Sequence, residues 1–600
     1  MNVSEDKHMS IRLSKGEISS YVGDVIPLRL IGEDDLGYKD IKWSTEGGVC
    51  HFREFSGAAR GAFNDGILIT LDKVGVGYVT AEYAGTTYTA SVSVREMKRY
   101  SGGKLHYYLG DMHDHMSMDH NPDTFPTRTE NTIADYLGYL KEADDIDFSV
   151  ISDHGDVVDA YCFFDSFVEA EGTPMSTVIF PGTESEITLI ETDRYGVKRK
   201  NSGEIVVLNA DNYSAALTYE EFNRDLETSP YALCTLAHPQ VVGSGIPGIW
   251  RFKLDEYNHG DFLKHIKLVE RGNGTERASN ILNDFVYSVA LDNGFRVSTT
   301  CSSDNHDAPW GKLGCPGKTV IMATERSKEA FRDAIENQRV YSTDSGNVKL
   351  FYTVNGITAP ATVKATDRYS FHVEVGYFEN DPMTTPYKLQ LISDYGKVIY
   401  EVTDRDFTSY DFEVDAPTAR WFYLRLVDRE ARKTVSHPTY TTLPLDPPAP
   451  ALEPIPKSSF TAHDLVTDTD ASVLLNDDPH KIYESTATTA DIVIDMKQAR
   501  TVSALGHYAP ILAQANDKKD RFILASFAAE YEILTSLDGS EYTSVCDGFV
   551  RIYGGEVLLR FPETAARYLR FKVKSTVGAV SEYPQFVDAK LTIAELTPFN

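Results

Sequence analysis

The sequence predicts a multidomain protein in which a central α/β segment is flanked by β-sandwich domains. The chain has 600 residues, several times the usual domain size, so we expect three to five domains. Towards both ends, apolar and polar residues alternate with a period of two, which indicates β-strands. Between them, short apolar runs alternate with helical stretches, a pattern typical of parallel strands in a barrel or open sheet.

Composition excludes some classes of function. The hydrophobic share of 42% and charged share of 24% are ordinary for folded protein. A formal net charge of -31 disfavours nucleic acid and anionic membranes as partners. No apolar run is long enough to predict a transmembrane segment. The first residues of the sequence contain no apolar signal core. We expect an exported protein, periplasmic or at the cell surface, whose signal peptide is not part of this sequence.

The cysteines give no sign of a disulfide framework. Six are scattered along the chain without a CxxC pair, so we expect buried or free thiols and no thiolate metal site.

Residues 1–100 are expected to form the first sandwich. The stretch "GILITLDKVGVGYVTAEYAGTTYTASVSV" has short strands with Gly and Asp turns at sandwich-like spacing. It resembles the closing strands of bacterial Ig-like domains, which serve as spacers or adhesive modules.

Residues 101–345 are expected to form the α/β domain. Its predicted strands include "LHYYLGD", "DFSVISDH", "TVIFPGTE", "EIVVLN", "ALCTLAHP", "IKLVERG" and "RVSTTCSSD". Helices are predicted for "ENTIADYLGYLKEAD", "ASNILNDFVYSVALDN" and "SKEAFRDAIENQR". In such folds the working face lies at the carboxyl ends of the strands.

The rest of the chain is predicted to be β-rich. Residues 346–445 indicate a second sandwich appended to the barrel, and residues 446–458, "DPPAPALEPIPKS" with its neighbours, indicate a stiff Pro-rich linker. Residues 459–600 indicate a last β-sandwich.

Histidine and acidic residues stand at the ends of the central strands. The segment "GDMHDHMSMDH" opens the set, and "ISDH", "PGTE", "AHP", "LVERGN" and "SSDNH" follow at later strand ends. Because parallel strand ends converge on one face, these groups can share a pocket. Imidazole and carboxylate ligands without thiolates suit zinc, manganese or iron.

The order of these motifs resembles the polymerase and histidinol phosphatase (PHP) superfamily of metal-dependent phosphoesterases. The resemblance covers residues 104–343 and is greatest to the carbaryl-hydrolase-like branch, in which a small β-sandwich follows the barrel. It implies a distorted (β/α)7 barrel with two or three divalent metals. The metal ligands that it implies are His113, His115, His120, His154, Glu184, Glu204, His238, Asp304 and His306.

The resemblance also implies roles for these residues. His113 and His115 would bind one metal with Asp304, Glu184 would bridge, His154 and His306 would hold a second metal, and His238 a third. The third metal ligand of the opening motif is either Asp119 or His120, and His120 is preferred because such ions favour imidazole. Glu204 stands where the family often has His, so it either supplies an oxygen ligand or the third metal is weak or absent. The catalytic set is His120, His238 and Glu184.

Further residues are expected around the ligands or at the substrate. Asp111 and Asp153 would orient histidines. Glu270 either belongs to the site or is a barrel-edge carboxylate paired with Arg271. The cations available for an anionic substrate are Arg128, Arg271 and the loop "DRYGVKRK", which could equally be a solvated hairpin tip.

The last domain resembles the discoidin, or coagulation-factor 5/8 type C, fold. "SLDGSEY" and "RYLRF" are the most specific phrases of this resemblance, which implies a possible carbohydrate ligand. The "LNDDPHK" turn makes Asn476, Asp477 and Asp478 candidates for calcium. His507 and Tyr508 are expected to be exposed and to form a thin sugar platform, so a purely structural role is equally open.

Three functions therefore stay open. The first is a phosphoesterase or phosphodiesterase using metal-activated hydroxide, acting on a small-molecule or glycan-linked ester. The second is a carboxylic or carbamate ester or amide hydrolase on the same metals. The third is a glycan-binding or adhesive protein with a degenerate barrel.

Overall fold

The structure of the protein is a computed structural model. It describes residues 11–32, 40–55, 65–97, 100, 103–115, 136, 138–140, 146–154, 177–192, 194–196, 198–210, 218–239, 254, 258–274, 280–305, 317–445, 451–508, 524–526, 528–550, 556–576 and 587–600. Within these residues the protein is mostly β-sheet. No described helix is long and apolar enough to cross a membrane.

The N-terminal segment is a β-sandwich of two four-stranded sheets. One sheet has the order β1-β3-β6-β5 and the other β2-β8-β7-β4. Alternate residues such as Leu28, Leu30, Val79 and Ala81 are fully buried between them, as period-two patterning requires. The strands are β1 (Arg12–Leu13), β2 (Glu17–Tyr21), β3 (Val25–Ile31), β4 (Lys42–Glu46), β5 (Cys50–Glu54), β6 (Gly66–Leu71), β7 (Gly75–Tyr83) and β8 (Thr86–Arg95).

The central segment is built on one curled sheet. Its strands are β9 (His106–Asp114), β10 (Phe148–Ile151), β11 (Val178–Thr192), β12 (Lys198–Leu208), β13 (Leu233–Ala237), β14 (Ile266–Asn273), β15 (Ser298–Ser302), β16 (Lys318–Ala323) and β17 (Val340–Thr343). Their order is β15-β14-β13-β12-β11-β10-β9-β16-β17. Strands β9, β10 and β11 are mutually parallel, as are β13, β14 and β15, and β12 is antiparallel to both of its neighbours.

The sheet curls until its β15 edge meets β9. The backbone N–H of His115 donates to Asn305 O at 2.9 Å, and that of Asp304 donates to His113 O at 2.9 Å. Asp114 and Asn305 form a parallel bridge. The carboxyl ends of β9 and β15 are therefore neighbours, although they are almost two hundred positions apart in the chain.

Four α-helices are described in this segment. They are α1 (Tyr219–Thr228), α2 (Gly260–His265), α3 (Asn280–Asp292) and α4 (Lys328–Glu336). Helix α1 starts at a capping box in which Thr218 and Glu221 satisfy each other's backbone N–H groups. The expected helix and strand alternation is thus seen in part, and with few described helices a complete (β/α)7 barrel stays a prediction.

The appended segment shares its sheet with the central one. Strand β17 pairs with β26 through Ser342–Val435 and Thr343–Thr434, and the order continues β26-β25-β22-β23. A second sheet, β19-β18-β21-β24, covers one side and encloses an apolar core. The strands are β18 (Val348–Val354), β19 (Ile357–Thr358), β20 (Thr362–Val363), β21 (Arg368–Tyr377), β22 (Pro386–Ser393), β23 (Lys397–Thr403), β24 (Tyr410–Asp415), β25 (Trp421–Asp428), β26 (Lys433–Val435) and β27 (Thr439–Thr441).

The C-terminal segment is a separate β-sandwich. A seven-stranded sheet contains β29-β28-β31-β35-β33-β34 with β37 on β31, and β30-β36-β32 form a smaller sheet. The strands are β28 (Thr461–Asp464), β29 (Thr469–Asp470), β30 (Tyr483–Glu484), β31 (Ala490–Tyr508), β32 (Leu524–Ser526), β33 (Glu530–Ser536), β34 (Thr543–Phe549), β35 (Glu556–Val573), β36 (Val587–Ile593) and β37 (Glu595–Phe599). Its core has its own set of buried residues, including Ile492, Ile533 and Leu569.

Four described cysteines, Cys50, Cys234, Cys301 and Cys546, are free thiols, and the first three are buried. This agrees with the thiol state expected from their spacing.

Candidate metal centre

The described candidate metal ligands lie together at the carboxyl ends of the parallel strands of the central sheet. Strand β9 carries His113 and is followed by His115. His154 follows β10, His238 follows β13, and Asp304 follows β15. Glu184 and Glu204 lie within β11 and β12, which continue past the level at which the shorter strands stop.

Glu184 is the centre of the cluster. Its Oε2 lies 3.2 Å from Nε2 of His113, His115 and His154 alike. Its Oε1 lies 3.0 Å from Nε2 of His238. One carboxylate that is only 1% exposed therefore contacts four imidazoles from three other strands.

The cluster divides into three groups of metal-ligating atoms. They are His113, His115 and Asp304; His113, Glu184 and His238; and His115, His154 and Glu184. Within each group the atoms lie within 4.8 Å of one another. Because the groups share members, a carboxylate or imidazole between two ions is a natural arrangement for the set.

Close packing and unusual backbone angles produce this convergence. A Cβ on Gly182, in "PGTE", would lie 2.7 Å from Val207 O, so only glycine lets β12 approach β11 there. His238 has φ 23° and Asp304 has φ 52°, in or near the left-handed region that non-glycine residues rarely adopt. Such strain clusters at functional sites.

Glu270 fixes the orientation of two ligands. It is fully buried. Its Oε1 is 3.2 Å from His113 Nδ1, and its Oε2 accepts from the backbone N–H of His238 at 2.6 Å. Donation from His113 Nδ1 leaves the Nε2 lone pair facing the cluster, which is the tautomer that binds metal. Asn273 Nδ2 donates to Glu270 and also to Asp304 Oδ2, at 3.2 and 3.1 Å.

The alternative pairing of Glu270 with Arg271 at the barrel edge is wrong. Arg271 is 1% exposed, and its guanidinium bonds Ser342, Asp284 and Asp344. The expectation that Arg271 contacts substrate is corrected, because its guanidinium is buried in these contacts.

The two aspartates expected to orient histidines behave differently. Asp153 Oδ1 lies 3.8 Å from His115 Nδ1. Asp111 instead accepts from the backbone N–H groups of His113 and Ser303. It therefore orients backbone across the closing strands rather than an imidazole.

Sequence reasoning missed a network behind the cluster. Asp114 is fully buried and accepts from Ser149 Oγ and Ser303 Oγ, each at 2.7 Å. Ser149 Oγ lies 2.7 Å from the Tyr136 hydroxyl. Alternation was the available signal, since Asp114 stands between two ligand histidines and must face the opposite side of β9.

The electrostatics show how strongly these groups depend on one another. Burial alone would lower the pKa of His115 and of His238, but their carboxylate partners raise each to about 10. The pKa of His113 is also raised well above its usual value. Burial would raise the pKa of Glu184, yet His113 and His154 hold it well below its usual range. Burial, then the charge of Glu184, raises the pKa of Glu204 to about 7.

Glu204, the candidate ligand for a third metal, lies next to His238. Glu204 Oε2 lies 3.4 Å from His238 Nε2. Its side chain is 20% exposed, against 1% for Glu184. Four further candidates, His120, Asp119, Arg128 and His306, lie outside the described residues.

The residues present fit divalent metal ions. Four imidazole nitrogens face carboxylate oxygens in a buried cluster, and no cysteine is among the ligating groups found in the described residues. This set suits zinc, manganese or iron.

One of the three calcium candidates, Asp477, contacts a buried lysine. The buried Lys457 ammonium contacts Glu595, Leu596 O at 3.2 Å, Thr597 Oγ1 at 2.9 Å and Asp477 Oδ1 at 3.2 Å. Asn476 Oδ1 accepts from the backbone N–H of Asp478. These three residues belong to none of the ligating groups found in the described part of the chain.

The expected sugar platform is wrong. His507 and Tyr508 are both fully buried. Strand β37 pairs with β31 here through His507–Leu596 and Tyr508–Glu595. The Tyr195 ring lies edge-on to Tyr508 at 5.4 Å, and the Phe571 ring lies 5.9 Å from His507.

No family model matches the sequence, and no curated protein matches it. Similar solved structures include a family 32 carbohydrate-binding module of NanJ from Clostridium perfringens in complex with galactose, at 18% identity and TM-score 0.20, covering 25% of this chain and 100% of that one. Another is CpGH89CBM32-5 from Clostridium perfringens, in complex with GalNAc-β-1,3-galactose, at 14% identity, TM-score 0.20 and the same coverages. A third is a chitosan-binding module from a Paenibacillus chitosanase/glucanase, at 15% identity and TM-score 0.19, also covering 25% and 100%.

Proposed function

We propose that the central segment is a metal-dependent hydrolase of the PHP type, acting on a phosphoric ester. The observation that carries the proposal is the contact of Glu184 with four imidazoles. Burying so many ionisable groups stabilises a fold less than apolar packing would. Their concentration at one end of a parallel sheet therefore favours a functional origin.

The ligands divide as their contacts suggest. His113, His115 and Asp304 would hold one ion, His154 would hold a second, and Glu184 would lie between them. His238 and Glu204 are the described candidates for a third. Bound divalent ions would lower the pKa of water and polarise the oxygens of the scissile group.

The protein's own residues supply orientation and proton handling. Glu270 keeps His113 in the tautomer that presents Nε2. Asn273 donates hydrogen bonds to both Glu270 and Asp304 and so links the two carboxylates. In the metal-free protein, burial and the charge of Glu184 raise the pKa of Glu204 to about 7, so near neutral pH its carboxyl can hold or release a proton beside His238 when no metal is bound there.

Two of the cations considered for substrate binding are engaged elsewhere. Arg271 is bonded to Ser342, Asp284 and Asp344, and Arg194 is bonded to Glu556. A phosphate monoester carries two negative charges that need cationic partners, so within the first candidate this favours a phosphodiester. A carboxylic or carbamate ester or an amide is the second candidate.

The first test is metal analysis together with activity. We expect two or three metals per chain, and cleavage of bis-p-nitrophenyl phosphate that is lost in His113→Ala. Cleavage of p-nitrophenyl acetate alone would move the proposal to the second candidate. A chain that binds no zinc, manganese or iron would overturn it and favour a glycan-binding protein.

We also propose a carbohydrate ligand for the C-terminal sandwich, resting on "SLDGSEY" and "RYLRF" and on its discoidin-like resemblance. Such a ligand accords with an exported protein. Titration of the full chain with galactose and with N-acetylgalactosamine by calorimetry tests it. Binding unaffected by removal of metal is expected, and no heat with either sugar would leave this domain a structural one.

A further inference from the structure

The β11–β12 hairpin extends well beyond the sheet that contains it. Strand β10 pairs with β11 only up to Pro181, and β13 pairs with β12 only from Glu204 onward. Beyond those points, Ile187–Thr192 and Lys198–Gly203 are paired with each other in continuous register. We name this part, with its tip 194–196, the hairpin arm.

The arm starts at the metal centre. Glu184 and Glu204 lie at its base on the two strands. Because β11 runs in the direction of the parallel strands, the arm projects from the same face that carries the ligands.

The tip of the arm is bonded to the C-terminal sandwich. The Arg194 guanidinium donates to both oxygens of Glu556, each at 2.6 Å, and to Thr597 Oγ1 at 2.8 Å. The Tyr195 hydroxyl lies 3.1 Å from Thr597 Oγ1, and its ring stands edge-on to Tyr508 at 5.4 Å. Arg194 is 30% exposed and Glu556 14%, so the pair is partly shielded from solvent.

This contact involves three strands of the sandwich. Glu556 begins β35, Thr597 lies in β37, and Tyr508 ends β31. The bidentate geometry fixes direction as well as distance. With the Pro-rich linker as the covalent connection, the sandwich is attached to the barrel at two places.

We propose that the hairpin arm holds the C-terminal sandwich over the metal face, and that the protein acts on an extended substrate contacting both. This inference rests on the proposed hydrolase function of the same site. From Glu184 to Arg194 is ten residues, which at about 3.3 Å each span roughly 30 Å. A small ester bound at Glu184 does not reach the Arg194–Glu556 contact across that distance, whereas a polymer does.

Two bonded attachments also set the expected size of the effect. If the sandwich is held at a fixed distance from the metal site, a polymeric substrate bound to the sandwich has a raised effective concentration at the metal site. Releasing the sandwich from the arm removes this increase. Loss of the arm contact should therefore affect polymeric substrates and leave small ones unchanged.

The first experiment tests the attachment without any substrate. The full chain, Arg194→Glu, Glu556→Arg and the double variant are compared by small-angle X-ray scattering. Each single variant should increase the maximum dimension, and the double variant should restore it. Arg224→Glu, an equal charge change at an exposed position of α1, is the control and should scatter as the parent does. Unchanged scattering in both single variants would overturn the proposal.

The second experiment tests the substrate class. Activity is measured on bis-p-nitrophenyl phosphate and p-nitrophenyl acetate, and on a poly(glycerol phosphate) chain and O-acetylated xylan. The single variants should lower kcat/KM on the cleaved polymer about tenfold or more, with recovery in the double variant, and leave the nitrophenyl substrates within about twofold.

The outcomes separate the two proposals. Cleavage of a nitrophenyl substrate with neither polymer cleaved, or equal losses on both kinds of substrate, would overturn the extended-substrate proposal alone. Failure of the full chain to cleave anything with metal bound would overturn the hydrolase function, while the scattering result still decides whether the arm holds the sandwich.

Discussion

Two buried polar clusters differ in what supplies their positive charge. Around Glu184, the neighbours are four imidazoles, whose charge can be exchanged for that of a metal. Around Glu595, the neighbour is the Lys457 ammonium, which is covalently part of the chain. The comparison teaches that carboxylates alone do not identify a metal site, since a lysine can occupy the position a cation would take.

The largest effect that would sharpen this comparison is expected from Glu184→Gln. The neutral amide keeps the shape but removes the charge that all four histidines share, so we expect loss of at least one metal per chain and of activity by about a thousandfold or more. Metal content by mass spectrometry and turnover measure it. Glu220→Gln, at an exposed position of α1, should change neither, and full metal content in Glu184→Gln would contradict the bridging role.

The matching change in the other cluster is Lys457→Met. It leaves Glu595 fully buried without its ammonium, which should destabilise the C-terminal sandwich by about 3–5 kcal/mol. Calorimetry of the full chain gives the shift of that transition. Lys481→Met, at a lysine 64% exposed in its pair with Asp478, should cost less than about 1 kcal/mol.

This prediction has a second arm. Lys457→Met combined with Glu595→Met should recover most of the loss, because both buried charges are then gone. Calcium should not raise the unfolding temperature of the parent chain. A calcium-dependent rise would break the comparison and restore Asn476, Asp477 and Asp478 as ligands.

A smaller effect is expected from Glu270→Gln. Without its charge, the carboxylate no longer favours the His113 tautomer that presents Nε2, and metal affinity should fall about 10–100-fold. Competition with a chromogenic chelator measures this. Glu227→Gln, exposed at the end of α1, is the matched control. An unchanged metal affinity in Glu270→Gln would mean that the contact of Glu270 with His113 does not set the tautomer of the imidazole.

The last prediction concerns the dependence of metal affinity on pH. In protein treated with chelator, the pKa of His115 and of His238 is about 10, so both imidazoles are protonated at neutral pH and metal must displace the protons. Affinity should therefore rise as pH rises, by about tenfold per pH unit for each proton released. Calorimetric titration in two buffers of different ionisation enthalpy counts the protons.

The sign for stability is opposite. In the metal-free, chelator-treated protein, the pKa of His115 is raised from 6.5 to about 10 by its ion pairs. These pairs stabilise the fold fully below pH 6.5, and the stabilisation is lost as pH rises towards 10. The unfolding temperature of chelated protein should thus fall between pH 7 and 10, and a rise over that range would contradict the ion pairing described.

The sequence could predict which residues meet at the strand ends but not the second layer around them. His113, His154 and Asp304 lie at or just after the end of an apolar strand, and Glu184 lies where the predicted strand "TVIFPGTE" was expected to end. Parallel strands place residues at such ends on one face. Asp114 and Asn273 act through partners on other strands, and nothing local identifies those partners.

The errors have a common physical cause. Patterning along one strand gives the face of a side chain but not what covers it. Tyr508 is fully buried, with the Tyr195 ring edge-on to it at 5.4 Å, and the Arg271 guanidinium is buried among partners on other elements. The pairing of β17 with β26 across the expected boundary after residue 345 is likewise a contact between segments that patterning along one strand does not give.

That shared sheet has a practical consequence for anyone shortening the gene. A truncation after residue 345 would leave the β17 edge open and remove the strands that bury Val320, Met322 and Tyr341. Open strand edges recruit other chains, so the truncated product should aggregate. Residues 103–345 and 346–445 should therefore be expressed together, whereas the C-terminal sandwich has a separate core.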